Sequence, residues 1–176
     1  VTISLTGHQQ QGLTMSGLFN TLDSSNMFVH LQKKWESFYH HPSEERLIDT
    51  LLPLYHLREW ICPGGSASYK NKDELSAEEK LHSFLYTYPP YEVVRELCNR
   101  TKHFKKQNGD INLNVIKGAR TGLMRVGDAL GSTYFTVDGV DIRDIFMAVY
   151  RVYYQYFESV KQGKHPSFTP SDSDGC

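Results

Sequence analysis

The chain is predicted to be mainly α, a helical bundle of about five helices with a small β-hairpin inserted before the last helix. Three observations carry this. Apolar residues recur three and four positions apart in several separate stretches, the spacing that lines one side of an α-helix. Prolines, glycines and capping residues divide those stretches. Asp138-Gly139, between Tyr134-Phe135-Thr136-Val137 and Val140, is a strong two-residue hairpin signal. With 176 residues, 39% hydrophobic and 22% charged, the composition suits one globular core.

Residues 1–24 hold no sustained period and read as an irregular arm that docks through Ile3, Leu5, Leu18 and Phe19. The helical domain spans 25–162. Its first helix carries Phe28, Leu31, Trp35 and Phe38 and ends at His41, because a residue preceding proline is pushed out of the α region. Ser43 and the acidic pair Glu44-Glu45 then open a second helix with Leu47, Leu51, Leu54 or Tyr55, and Ile61 on one side. Pro53 lies within it and is expected to bend it. Cys62-Pro63-Gly64-Gly65-Ser66 ends it, and the polar stretch to Asp73 reads as a loop.

A shorter third helix covers 74–87 with Leu75, Leu81 and Leu85, and Tyr88-Pro89-Pro90 separates it from a fourth with Val93, Val94, Leu97, Cys98 and Phe104. After Asn108-Gly109-Asp110 the pattern alternates through Ile111, Leu113 and Val115, which predicts a short strand. Following the hairpin, Asp141 caps a long last helix, with Asp144 in its first turn and Ile145, Val149, Val152, Tyr156 and Val160 on one face. Residues 163–176 are polar and read as a disordered tail. Gly118, Gly122, Gly127 and Gly131 form no phosphate loop, since no Lys-Ser/Thr pair follows them.

Composition excludes several functions. The formal charge of -1 means that a nucleic-acid partner has to be met by a local basic patch. Cys62, Cys98 and Cys176 form no CxxC pair, so neither a disulfide framework nor a cysteine-rich zinc site is indicated, and a reducing, cytoplasmic setting is expected. No run approaches eighteen consecutive apolar residues, and the first residues lack a basic stretch followed by an apolar one. No membrane partner and no cofactor are expected.

The chemistry concentrates on the fourth helix. Arg95, Asn99 and His103 are spaced four apart and share one side. Arg100, Lys102, Lys105 and Lys106 make the surrounding stretch the most basic in the chain, suited to phosphate. Histidine titrates near neutral pH and can accept a proton, while arginine stabilises charge developing on phosphate. The set can therefore be read as a catalytic group of His103, Arg95, Asn99 and Arg100 that cleaves RNA without a metal. Equally, it can be a solvated helix face whose basic end suits the helix dipole. His56 and Glu59, with Arg58 beside them, meet this stripe if the second and fourth helices pack antiparallel, forming either a polar site with Lys102 and Lys105 for substrate or a buried polar cluster. As metal ligands, His56 and Glu59 lack an HExxH context. The aromatic run from Tyr150 to Phe157 follows helical spacing and reads as packing surface, though such rings can also stack bases.

The stretch from Arg95 to Phe104, on a late helix of a helical bundle, resembles HEPN-type domains of prokaryotic toxin and phage-defence ribonucleases. Those domains place an arginine a short way before the histidine; Arg95 and Arg100 fall on either side of that spacing. The wider pattern of Tyr55 to Trp60, Asn99 to Phe104 and Val137 to Val140 is similar to a group of bacterial and phage proteins, across residues 45–160. The resemblance implies an endoribonuclease or RNA-binding protein of a toxin–antitoxin or phage-defence system, with RNA, an antitoxin or another protein as partner, and a homodimer with two copies of the motif facing each other. The competing expectations are a non-catalytic helical interaction module and a small-nucleotide binder using the same basic turn.

Overall fold

The computed structural model describes residues 23–65, 74–102 and 111–168. Their order is α1 (Ser24–His40), α2 (Glu44–Ile61), α3 (Ala77–Thr87), α4 (Pro89–Lys102), β1 (Leu113–Lys117), β2 (Thr133–Val137), β3 (Val140–Asp141) and α5 (Ile142–Lys161). The mainly α class with a small sheet before the last helix is as the sequence predicts. The arm over residues 1–22, with its four docking positions, lies outside the described residues.

Helix boundaries follow local chemistry. Asp23, Ser43, Ser76 and Asp141 are N-caps whose side chains accept backbone N–H groups of the first turn. At Ser76 the arrangement is reciprocal, with the Glu79 carboxylate accepting the Ser76 N–H at 2.9 Å. Pro89 and Pro90 open α4 instead of only ending α3, because a first turn has no use for the N–H groups that proline lacks. α2 continues through Pro53, which is buried within it.

The core forms where the apolar faces of the helices meet. Phe28, Leu31, Trp35 and Phe38 of α1 are all buried, as their spacing requires. They face α5 through a run of rings: Phe28 stacks on Phe157 with centroids 4.5 Å apart, and Phe38 tilts against Phe146 at 5.8 Å. The buried side of α5 is Ile142, Phe146, Val149, Val152, Tyr153 and Tyr156. Val160, assigned to that side from the sequence, is exposed, and Ile145 is half-buried. Tyr153 is what turns the face: it is fully buried, and its hydroxyl donates to the Leu54 carbonyl at 3.1 Å, so a polar atom is accommodated in the core.

The antiparallel sheet has the order β1-β2-β3, and β2 packs on the helices through Phe135, whose ring lies 6.3 Å from that of Phe38. Val137 pairs with Val140 across Asp138-Gly139. Both turn residues have positive φ, +51° and +85°, as a tight two-residue hairpin turn demands.

A buried ionic network ties the β1–β2 connection to the start of α5. Arg143, 1% exposed, donates to Asp141 (2.9 Å), to Asp128 (3.0 Å) and to the carbonyls of Leu123 (2.8 Å) and Tyr39 (3.4 Å). Arg125 bridges Asp144 at 2.7 Å and Asp141 at 3.6 Å over the ring of Tyr39. The four glycines of this stretch are loop residues, as expected. Within residues 163–168, Gly163, Lys164 and His165 are exposed, whereas the apolar Pro166 is buried and Phe168 stacks on Phe84 at 5.6 Å. Residues 169–176 lie outside the described ones.

Candidate functional site

On α2, Leu47, Leu51, Leu54, Leu57 and Ile61 are buried at core spacing. Arg58, next to Leu57, lies on the same buried side and is 9% exposed. Two tyrosine rings take up its charge. The Arg58 guanidinium carbon lies 5.1 Å from the centroid of Tyr91, on α4, and 5.9 Å from that of Tyr86, at the end of α3. Arg95, one turn beyond Tyr91, reaches the same Tyr86 ring at 5.5 Å. Three helices thus converge on one Arg58–Tyr86–Arg95 group.

Its supports are well defined. Tyr91 donates to the Tyr55 carbonyl at 2.8 Å and stacks on the Tyr55 ring. Burial raises the Tyr91 hydroxyl well above the usual tyrosine range, against the opposing charge of Arg58, so it stays protonated. Arg95 donates to Glu92 at 3.0 Å, and its side chain is 30% exposed. Gly65, at the exit of α2, has φ +76°, and a Cβ there would meet the His82 ring at 3.1 Å, so only glycine lets this turn close on α3. His82 is held below the ordinary histidine value, first by burial and then by the charge of Arg58. A proton-NMR titration of the His82 ring is accordingly expected to give a midpoint below about 6.5; a midpoint at or above it would mean that the ring is not desolvated beside the arginine.

The sequence-derived site residues divide between two ends of α4. Because α4 runs antiparallel to α2, its first turns, Tyr91 and Arg95, lie beside Arg58. Its last turns, Leu97, Arg100 and Thr101, line a groove with Glu44, Leu47, Ile48 and Leu51. Antiparallel packing thus brings Arg58 and Arg95 to one ring and places Arg100 at the other end of α2 from His56 and Glu59. His56 and Glu59 pair with each other at 3.1 Å at the surface. Arg100 donates to Glu96 at 3.2 Å and to the Ile111 carbonyl at 2.9 Å, tying α4 to the approach to β1. Asn99 is half-buried one turn past Arg95. Lys102 ends α4, and its side chain, His103 and Lys105 lie outside the described residues. Sequence reasoning missed Tyr86, Tyr91 and His82; the legible signal was Arg58, four positions after Leu54 and three before Ile61 on the apolar side of α2, which asks for partners from neighbouring helices.

Among the described residues no group of three or more His, Cys, Asp or Glu side chains could hold a metal ion, and no helix is long and apolar enough to cross a membrane. Fold and geometry define a mainly α domain with an arginine–tyrosine–arginine group at the junction of three helices. No family model, no curated protein and no solved structure matches this chain.

Proposed function

We propose that the chain is a HEPN-like RNA-binding protein of a toxin–antitoxin or phage-defence system, whose RNA runs along α4. The observation that carries this reading is the Arg58–Tyr86–Arg95 group. Tyr86 is 60% exposed and offers a flat ring to an unstacked base, while Arg95 supplies the cation for the adjoining phosphate. Cleavage follows if the strand continues to His103. The imidazole accepts the ribose 2′-hydroxyl proton, the 2′-oxygen attacks the adjacent phosphorus, and the 5′-oxygen leaves with a proton from solvent. The products are a 2′,3′-cyclic phosphate and a 5′-hydroxyl end. Arg95 is the arginine available to the phosphate; Arg100 positions the chain through Ile111.

The test incubates the full chain with mixed-sequence single-stranded RNA, following binding by fluorescence anisotropy and cleavage on gels, beside His103→Ala. Binding that weakens with added salt, and cleavage lost in His103→Ala, are the expected results. Cleavage undiminished in the variant would sink the catalytic part, and absence of binding would sink the whole reading.

A non-catalytic interaction module is favoured by a different observation. Exposed Ile48, Leu113 and Val115 border the apolar groove of 270 Å³ between α2, α4 and β1. A chain that binds no RNA yet associates with itself, measured by sedimentation, supports that second reading.

A further inference from the structure

The chain treats its two buried arginines differently. Arg143 has a carboxylate or carbonyl for each nitrogen of its guanidinium. Arg58, nearly as deep, has its Nε and Nη1 shielded from water with no hydrogen-bond partner among the described residues. The faces of Tyr86 and Tyr91 attract its charge, but ring faces do not accept its in-plane N–H groups. Two donors of a permanently charged group left in that state are costly, and Glu59, next to Arg58, and Glu92, one turn before Arg95, are engaged by His56 and Arg95.

We infer that Arg58 is the buried half of a phosphate site, completed by Arg95, with Tyr86 as the ledge for the base attached to that phosphate. Two arginines meeting at one tyrosine match a doubly charged phosphomonoester better than a single carboxylate, whose place at Arg95 Glu92 already fills. The identification of the attached base rests on the RNA-binding reading; the phosphate itself does not. The ligand class is a terminal phosphate, carried by a mononucleotide or by the 5′ end of an RNA strand. Because Nε and Nη1 are covered in the free protein, entry of the anion requires a shift beside Arg58, and of its two rings Tyr86 is the exposed one.

Thermal melting of the full chain with inorganic phosphate, adenosine monophosphate and adenosine tests this. Phosphate raises Tm, the monophosphate raises it further through Tyr86, and adenosine does not. Arg58→Met melts at or above the wild-type temperature without ligand, because two buried donors without acceptors are gone, and loses the response to both phosphates. Arg95→Gln, an exposed change that does not threaten folding, loses most of it. No response in wild type, or a full response in Arg95→Gln or Arg58→Met, overturns the inference.

Anisotropy with 5′-hydroxyl and 5′-phosphate RNA of one sequence separates the two readings. About tenfold tighter binding of the phosphorylated strand is expected, the size of one charge-assisted hydrogen bond. Equal binding of both strands overturns the phosphate site and leaves RNA binding standing. A phosphate response without any RNA binding supports the site and sinks the RNA reading.

Discussion

Replacing Arg143 with Met lowers stability by about 3–5 kcal/mol, the usual loss when one partner of a buried ionic network is removed. The methionine fills much of the same space, so the loss comes from charge. Asp141 and Asp128, whose side chains are 5% and 3% exposed, are left without the guanidinium that holds them. At about 2–4 °C per kcal/mol for a chain of this size, the melting temperature falls by on the order of 10 °C. A fall of under about 2 °C in calorimetry would show that water or Arg125 replaces the lost donors.

The same network sets the response to acid. Burial pushes the Asp128 carboxyl upward, but hydrogen bonds from the Arg143 guanidinium and the Arg125 N–H, with the charge of Arg143, outweigh it and hold the group below its ordinary value. A carboxyl depressed in the folded state binds protons more readily once unfolded. Its contribution is therefore complete above about pH 4 and is lost as pH falls through the folded value. Arg143→Met shows a smaller acid-dependent loss, since that contribution is already gone at neutral pH.

Truncating Tyr86 to Ala weakens RNA binding by about 1–3 kcal/mol, roughly five- to 150-fold in Kd, the usual range for removing one base-stacking aromatic. The ring is 60% exposed, so the fold survives and circular dichroism melting stays close to wild type. Arg95 loses its ring as well as its phosphate geometry, so the effect of Tyr86→Ala combined with Arg95→Ala is less than the sum of the single effects. Unchanged affinity in Tyr86→Ala sinks the proposed binding face. A matching collapse in Tm would assign the ring to structure instead.

Both predictions concern residues that need partners from other elements, Asp128 and Tyr39 for Arg143 and Arg58 for Tyr86, and such partners are not announced locally. Its helices are legible because each is announced locally: Phe28, Leu31, Trp35 and Phe38 by their spacing, Ser43 and Asp141 by capping chemistry, and Asp138-Gly139 by a turn that few other pairs make. On α5 the spacing put Val160 on the buried face, yet it is exposed, while Tyr153 is buried with its hydroxyl on the Leu54 carbonyl, a bond between residues far apart in the chain.

The polar stripe shows the same division. That Arg95 and Asn99 share a side of α4 follows from helix geometry alone, and so does the place of Arg58 on the apolar side of α2. Which of them meet was decided by the direction in which α2 and α4 pass one another. Antiparallel packing joined Arg58 to Arg95 through Tyr86 and sent Arg100 toward β1. Local sequence thus determined the elements and the side on which each charge stands, because backbone periodicity and capping act within a few residues. Only tertiary packing determined which charges share a site or a buried network, because electrostatic and ring contacts depend on distances in space that sequence separation does not encode.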